Sequence, residues 1–105
     1  MESYIQVLTT IDKKDDAEKI ARAMVERKLA ACVQIAGPIS SIYRWKGNIE
    51  STQEWQCWIK SKAVLYEEIQ EAIKSIHPYE VPEIIAIPIV TGSSQYLQWL
   101  ENEII

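Results

Sequence analysis

The stretch that decides the fold is residues 39–62, ISSIYRWKGNIESTQEWQCWIKSK. Two runs rich in β-branched and aromatic residues flank Lys46-Gly47-Asn48-Ile49, a pattern typical of a β-hairpin. We expect Gly47-Asn48 to form the two-residue loop, with Trp45 opposite Glu50. The sequence therefore predicts a long antiparallel ribbon.

The return strand of this hairpin, from Ile49 to about Lys62, is long for a small domain. About 14 residues span ~45 Å at ~3.3 Å each, whereas a usual strand has about 5–6 residues. A chain of this length has a radius of gyration of only about 13 Å. We therefore expect the hairpin to extend beyond its own core.

Both faces of the hairpin carry large apolar side chains. Strand alternation places Ile42, Trp55, Cys57 and Ile59 on one face and Ile39, Tyr43, Trp45 and Trp58 on the other. A single subunit can cover only one face, and exposed apolar patches mark interfaces. We therefore predict an obligate homo-oligomer, with Tyr43, Trp45, Trp55 and Trp58 packed between subunits.

The flanking segments alternate between strand and helix patterns. The predicted strands are Tyr4–Ile11, Leu29–Ile35 with a bulge or bend at Gly37-Pro38, and Ile84–Val90. The predicted helices are Lys13–Lys28, a second with an apolar stripe from Leu65 to Ile76, and a short one over Tyr96–Leu100. We expect caps from Asp12, from Ser61 and from the turn Thr91-Gly92-Ser93-Ser94.

Two of these strands are almost entirely apolar, Leu29–Ile35 and Ile84–Val90, and we expect both to be buried. Pro88 lacks an N–H and should lie at a bulge or where pairing ends. The order β-α-β-β-α-β with a terminal helix predicts an α+β fold, a ferredoxin-like βαββαβ sandwich with a long β-hairpin and a short C-terminal helix. We expect residues 1–105 to form a single domain.

Composition excludes several classes of function. The chain has 11 basic and 15 acidic residues, scattered along its length, so there is no basic patch for nucleic acid. No apolar run approaches the roughly 20 residues of a membrane span, and no signal-peptide pattern is present. We expect a cytoplasmic protein that binds neither nucleic acid nor membrane.

The two cysteines, Cys32 and Cys57, fit neither a zinc site nor a disulfide. No CxxC or Cys/His spacing exists. The predicted register puts Cys57 opposite Pro38, about 20 Å along the strand from Cys32, whereas a disulfide tolerates about 7 Å between Cα atoms. We expect reduced thiols that pack as small hydrophobic side chains.

The single histidine begins the stretch His77-Pro78-Tyr79-Glu80-Val81-Pro82-Glu83. Pro78 disfavours the helical conformation at His77, so the second helix should end there. His77 is then either a helix-ending residue whose ring bonds a carbonyl, or a metal ligand beside Glu80 and Glu83 whose missing donors come from a neighbouring subunit.

A cleft between subunits could also bind a ligand. We expect Tyr79, Glu80, Lys60 and Glu54 to line it. Lys60 is then either solvated or holds a small anionic ligand beside Glu54. The sequence has no Gly-rich phosphate loop, nucleophile elbow, HExxH motif or calcium loop. Catalysis would have to rest on His77 and a carboxylate, so we expect a protein that is not an enzyme.

Five segments form a more specific pattern: Leu29-Ala30-Ala31-Cys32-Val33, Ser41-Ile42-Tyr43-Arg44-Trp45-Lys46-Gly47, Ile59-Lys60-Ser61-Lys62, His77 to Glu83, and Tyr96-Leu97-Gln98-Trp99-Leu100. In this order, over essentially the whole chain, they resemble the divalent-cation tolerance protein CutA family. The resemblance implies a homotrimer of ferredoxin-like subunits, similar to PII signalling proteins, with hairpins that reach neighbouring subunits. It also implies a link to copper and other divalent cations, and no established reaction.

The chain departs from the family's proposed copper ligands at two positions. Some relatives have a cysteine where this chain has Thr9 and a second histidine where it has Ile76, so only His77 matches. Losing a thiolate and an imidazole should weaken copper binding. The sequence thus predicts a protein of divalent-metal tolerance that binds Cu(II) or another divalent cation weakly, or a small ligand, between subunits. The alternative is an assembly module that binds another protein without a tight metal site.

Overall fold

The computed structural model describes residues 3–105, and its elements follow the predicted order. They are β1 (Tyr4–Ile11), α1 (Lys14–Glu26), β2 (Cys32–Trp45), β3 (Asn48–Lys62), a 3₁₀ turn (Ala63–Leu65), α2 (Tyr66–Ile76), β4 (Ile84–Ile89) and α3 (Ser94–Glu103). The strands form an antiparallel sheet in the order β2-β3-β1-β4. This is the predicted ferredoxin-like βαββαβ arrangement with an added C-terminal helix. No helix within residues 3–105 is both long and apolar enough to cross a membrane.

The core lies between one face of the sheet and the helices α1 and α2. Strand alternation points Val7, Cys57 and Ile59 towards the helices, where each is fully buried. Apolar residues at helical spacing pack against them, namely Ala17, Ile20 and Met24 of α1 and Ile69, Ala72 and Ile73 of α2. Burial of this apolar surface is the main stabilising contribution to the fold.

The helix α1 is shorter at both ends than the predicted Lys13–Lys28. Lys13 is its N-cap and no side chain caps it, so the prediction for Asp12 is wrong. At the other end Lys28 adopts a positive φ of 58°, and the Leu29 N–H donates to the Met24 carbonyl at 2.9 Å. Together with the bond from Lys28 N–H to the carbonyl of Val25, this is a Schellman motif.

The ends of the other helices divide between confirmed and wrong predictions. Ser61 does not cap α2, because it belongs to β3 and its buried Oγ donates to the Leu29 carbonyl at 2.6 Å. The helix α2 ends as predicted at Ile76, with His77 in an extended conformation before Pro78. Ser93 caps α3, since its Oγ accepts from the Tyr96 N–H at 3.1 Å.

The hairpin loop is Lys46-Gly47, not Gly47-Asn48 as predicted. Trp45 pairs with Asn48, so the register differs by two residues from the prediction. Lys46 and Gly47 have φ values of 49° and 83°, the positive pair that a type I′ turn requires. A shift of two residues preserves the strand alternation, and the predicted composition of the two hairpin faces is therefore unchanged.

A β-bulge interrupts the pairing of β2 with β3 between Ala36 and Ile39, where Gly37-Pro38 predicted it. The bulge and the new register bring Cys57 opposite Ile35 instead of Pro38. Ile35 is three residues from Cys32, or about 10 Å along the strand, still too far for a disulfide. Both cysteines are free, as predicted.

The outer half of the hairpin projects beyond the sheet. β1 pairs with β3 only from Trp55 to Lys62, whereas residues 48–54 pair with β2 alone. The subunit accordingly measures 45 × 25 × 22 Å, with a radius of gyration of 14.3 Å. The overhanging ribbon predicted from strand length is confirmed.

The predicted burial of the two apolar strands is wrong within this chain. β4 is an edge strand, and its Ile85 and Ile87 are 46% and 38% exposed. Pro88 lies on this edge, one residue before the strand ends. β2 is the opposite edge strand and begins only at Cys32, with its first residues half-buried. These strands therefore present apolar surface that residues 3–105 of one chain do not cover.

Candidate functional site: a groove between the hairpin and the His77 loop

A groove of about 610 Å³ lies between the hairpin and the loop that follows α2. Its lining includes Thr10 of β1, Tyr43, Trp45 and Glu54 of the hairpin, and Tyr79, Glu80 and Glu83 of the loop. Small-molecule sites usually measure about 300–1,000 Å³ and combine apolar walls with a few polar groups. The groove has the size and the composition of such a site.

His77 anchors the loop that forms one wall of the groove. Its Nε2 is 2.8 Å from the Thr10 carbonyl oxygen, and its Nδ1 accepts the Tyr79 N–H at 3.2 Å. Because Nδ1 is an acceptor and the carbonyl can only accept, Nε2 carries the proton and the imidazole is neutral. The ring is 8% exposed and packs edge-on against Tyr79. The first interpretation of His77, a helix-ending residue that bonds a carbonyl, describes these contacts.

Metal binding at His77 has little support from this geometry. Both ring nitrogens are engaged, so no lone pair is free for a cation. Across residues 3–105 no group of three or more His, Cys, Asp or Glu side chains is placed to hold a metal ion. The role of His77 as a metal ligand stays a prediction, and it would require these two hydrogen bonds to rearrange.

Cys57 does not supply a metal-binding thiolate. Cys57 is fully buried and its Sγ lies 3.5 Å from the Ala17 carbonyl oxygen. Burial raises the pKa of Cys57 to about 11, which keeps the sulfur protonated near neutral pH. Since the thiolate is the form that binds metals, Cys57 is packed as an inert hydrophobic side chain.

Glu54 and Tyr79 meet at the base of the groove. The Tyr79 hydroxyl donates to Glu54 Oε2 at 2.8 Å, and Glu54 is only 5% exposed. Burial and the Glu54 carboxylate raise the pKa of Tyr79 above its ordinary value, so the phenol keeps its proton. Within residues 3–105, Glu54 Oε1 has no hydrogen bond and no lysine or arginine forms an ion pair with this carboxylate.

Three of the four predicted cleft residues come together, and Lys60 does not. Tyr79, Glu80 and Glu54 line the groove, whereas Lys60 lies six residues along β3 from Glu54, or about 20 Å away, and donates to Gln34. Lys60 therefore lies outside this groove, and its place in a cleft between subunits stays a prediction. The lining contains three carboxylates and no basic side chain, which disfavours the predicted anionic ligand.

The predicted interface aromatics divide into three environments. Tyr43 and Trp45 line the groove. Trp55 packs against the core of its own chain and lies so close to Gly37 that a Cβ there would be 2.6 Å from the indole Cδ1. Trp58 is half-buried on the face of the sheet opposite Cys57 and Ile59. Trp55 thus contacts the core of its own subunit, and its place between subunits stays a prediction.

Sequence reasoning missed Thr10 as a residue of the groove. Its carbonyl holds His77, and its hydroxyl lies 3.4 Å from Glu83 Oε1. The available signal was its position near the end of a strand that pairs with β4, the strand which the His77 loop enters. Nothing in residue type or spacing marked it as a partner of a histidine that is 67 positions away.

The order of the strands in the sheet defines a ferredoxin-like protein. Its distinguishing features are a long two-stranded hairpin that extends beyond the sheet and an acidic groove beside it. The family described as CutA1 divalent ion tolerance protein matches residues 5–103. The chain belongs to this family. The description of the family names divalent ion tolerance and no reaction.

Individual relatives agree with this assignment. The divalent-cation tolerance protein CutA of Thermus thermophilus is 44% identical over 96 residues, which are 91% of this chain and 93% of that protein. The human protein CutA is 48% identical over 95% of this chain, but the chain spans only 56% of the human protein's length. The crystal structure of CutA1 from Oryza sativa superposes with a TM-score of 0.95 at 37% identity and covers 98% of this chain and 94% of that one.

Proposed function

We propose that this chain acts in the cytoplasm as a homotrimer, similar in architecture to PII signalling proteins, and contributes to divalent-cation tolerance. In this proposal, neighbouring subunits complete the grooves, and each groove binds Cu(II), another divalent cation or a small ligand weakly. The observation that carries the proposal is the exposed apolar strand β4 beside an overhanging hairpin.

Assembly is supported by a row of apolar side chains across three neighbouring strands. Trp58, Leu8 and Ile85 lie in register on the face of the sheet opposite the core formed with α1 and α2. Ile85 at the end of this row is exposed, and β4 has an unpaired edge. Exposed edge strands are templates for pairing with another chain, and copies of one subunit usually close into a symmetric ring.

Weak rather than tight cation binding is supported by the donors in the groove. Glu54, Glu80 and Glu83 offer carboxylate oxygens, but these do not converge into a three-ligand set within residues 3–105. Cu(II) binds most tightly where imidazole nitrogens are available, and the nitrogens of His77 are already engaged. Oxygen donors from two subunits would be needed for even a modest site.

A Cu(II) titration by calorimetry tests this proposal on the native oligomer. We expect a Glu80→Gln/Glu83→Gln variant to bind Cu(II) about tenfold more weakly than the wild type, a loss of about 1.4 kcal/mol. A Glu67→Gln/Glu68→Gln variant makes the same charge change on exposed positions of α2 and should bind as the wild type does.

A His77→Ala variant distinguishes Cu(II) binding through the His77 nitrogens from Cu(II) binding through the carboxylates of the groove. We expect it to bind Cu(II) within about twofold of the wild type, because the His77 nitrogens are not free. A large loss in His77→Ala alone would assign the site to the histidine. Equal, weak binding by all variants would favour the alternative function, an assembly module without a metal site, which the missing three-ligand cluster in residues 3–105 also supports.

Fractionation of cells that express the tagged chain tests the proposed cytoplasmic location.

A further inference from the structure

We propose that the groove binds an organic diamine, with one ammonium group on Glu54 and the carbon chain along the wall formed by Tyr43, Trp45 and Tyr79. This inference rests on the proposed function, because it names a ligand class for the same groove. Three properties of the groove carry it: a nearly buried carboxyl group that has no ion pair within residues 3–105, an aromatic wall, and carboxylates that are too dispersed for one ion.

Glu54 holds a carboxylate that is 5% exposed and has one neutral hydrogen-bond donor, Tyr79. Buried charges are ordinarily paired or fully hydrogen-bonded, because their desolvation is unfavourable. Within residues 3–105, Oε1 of Glu54 has no hydrogen bond, and the groove that it lines contains no basic side chain. This oxygen is not among the buried side-chain atoms of residues 3–105 that have no partner, so it is open to the groove and accessible to a ligand cation.

The aromatic side chains of the groove suit an ammonium group attached to a carbon chain. Tyr43, Trp45 and Tyr79 line the same cavity as Glu54. Cations are attracted to the faces of such rings, Trp most strongly. The protein already shows this preference at the rim, where the Lys46 Nζ lies 5.6 Å from the centroid of the Trp45 ring.

A diamine fits the groove better than a bare metal ion does. The volume of about 610 Å³ is that of a small organic molecule, and no three ligating side chains in residues 3–105 converge on one point. Glu80 and Glu83 lie on the loop wall, whereas Glu54 belongs to the hairpin. Glu80 already forms an ion pair with Lys46 at 3.8 Å, which leaves Glu83 as the partner on the loop wall. Two ammonium groups separated by a flexible chain can therefore pair with Glu54 and Glu83 at once.

The probe is 1,4-diaminobutane, titrated into the native oligomer by calorimetry and by NMR of the Trp45 indole N–H. We expect binding of the diamine, with a shift of the Trp45 signal that a Trp45→Phe variant identifies. We expect no binding of 1,4-butanediol, which has the same chain without charge, and none of succinate. Glu54→Gln should weaken diamine binding about tenfold or more, because the variant loses a charge-assisted hydrogen bond to the ammonium group.

Two variants control for charge and for folding. Glu18→Gln removes one exposed carboxylate from α1, far from the groove, and should leave diamine binding unchanged. Glu83→Gln alters a carboxylate of the loop wall. Because Glu83 is exposed, we expect the variant to fold, and it should weaken diamine binding about threefold.

Three results would overturn the inference. These are equal binding of the diol and the diamine, wild-type affinity in both Glu54→Gln and Glu83→Gln, and an oligomer that dissociates in Glu54→Gln. The last result would show that Glu54 pairs with a basic group of a neighbouring subunit. A wild-type protein that keeps a trimeric mass and binds Cu(II) but ignores the diamine overturns this inference alone and leaves the proposed function standing.

Discussion

Thr9 places a hydroxyl in the core that has no hydrogen-bond partner within the described chain. It is fully buried and lies opposite Cys57 in the register of β1 and β3. A buried polar group without a partner lowers stability by its desolvation. We expect Thr9→Val to raise the free energy of unfolding by about 1 kcal/mol in urea titrations at a fixed protein concentration.

The neighbouring Thr10 provides the control for this substitution. Its hydroxyl faces the Glu83 carboxylate at 3.4 Å, so Thr10→Val removes a hydrogen bond instead of an unpaired group. We expect Thr10→Val to leave stability unchanged or to lower it slightly. A loss of stability in Thr9→Val would mean that the Thr9 hydroxyl has a partner in the assembled protein.

Cys57 should react far more slowly than an ordinary thiol. Burial raises the pKa of Cys57 to about 11, so at pH 8 only about one molecule in a thousand carries the reactive thiolate. In a Cys32→Ser background, we expect Ellman's reagent to label Cys57 at least about a hundredfold more slowly in the native protein than in urea. Labelling at the same rate in both conditions would contradict the buried position of this sulfur.

His77 shows how far residue-level prediction from sequence extends. Pro78 was enough to predict that the helix ends at His77, because that effect is local. Whether the ring binds a metal or the backbone depended on the Thr10 carbonyl, which is 67 positions away in sequence and 2.8 Å away in space. Contacts of this kind follow from the register of the sheet and have no local signature.

The bulge at Gly37 lies against the Trp55 ring, which packs on the core where the outer hairpin begins. A Cβ at this position would be 2.6 Å from Cδ1 and 2.9 Å from Cγ of the Trp55 indole, and a side chain there forces the ring to move. We expect Gly37→Ala to lower the free energy of unfolding by about 1–3 kcal/mol, the usual effect of overpacking. Denaturant titration followed by tryptophan fluorescence would measure it.

Gly92→Ala is the matched control for this element. A Cβ at Gly92 would make ordinary contacts with Leu97, the nearest at 3.4 Å, so its effect should stay within about 0.5 kcal/mol. Similar losses in the two variants would show that the cost comes from losing any glycine rather than from the site at Gly37, where a side chain meets the Trp55 ring at a φ of 157°.

Element types were predictable from sequence, whereas turn geometry and burial were not. The alternation of residues 39–62 was sufficient for the ribbon, because strand length and a turn signal are local. The predicted hairpin loop differs from the observed one by one residue, because Lys46 adopts a positive φ of 49°. Such a φ is uncommon for a residue with a side chain. The burial of β4 was overestimated, because within residues 3–105 its four middle residues are exposed and only Ile84 and Ile89 are half-buried.

At the scale of the whole molecule, a row of apolar side chains crosses one face of the sheet. Trp58, Leu8 and Ile85 form a row across the sheet, and β4 ends the sheet with an unpaired edge. The outer hairpin adds a second overhang, in which residues 48–54 pair with β2 alone. Long exposed apolar edge strands aggregate unless another chain covers them. A closed ring of copies covers every such edge at once.

A charge on this row should therefore break the assembly. In the proposed trimer, three equivalent copies of Ile85→Glu would bury three unpaired carboxylates, each of which is unfavourable by several kcal/mol. By sedimentation equilibrium we expect the wild type at three times the 12.1 kDa mass of one chain, and Ile85→Glu at the mass of one chain. Val64→Glu puts the same charge on an exposed residue of the 3₁₀ turn, away from the sheet face, and should remain trimeric. If Ile85→Glu keeps the wild-type mass, the interface lies elsewhere, and the overhanging hairpin becomes the surface to test next.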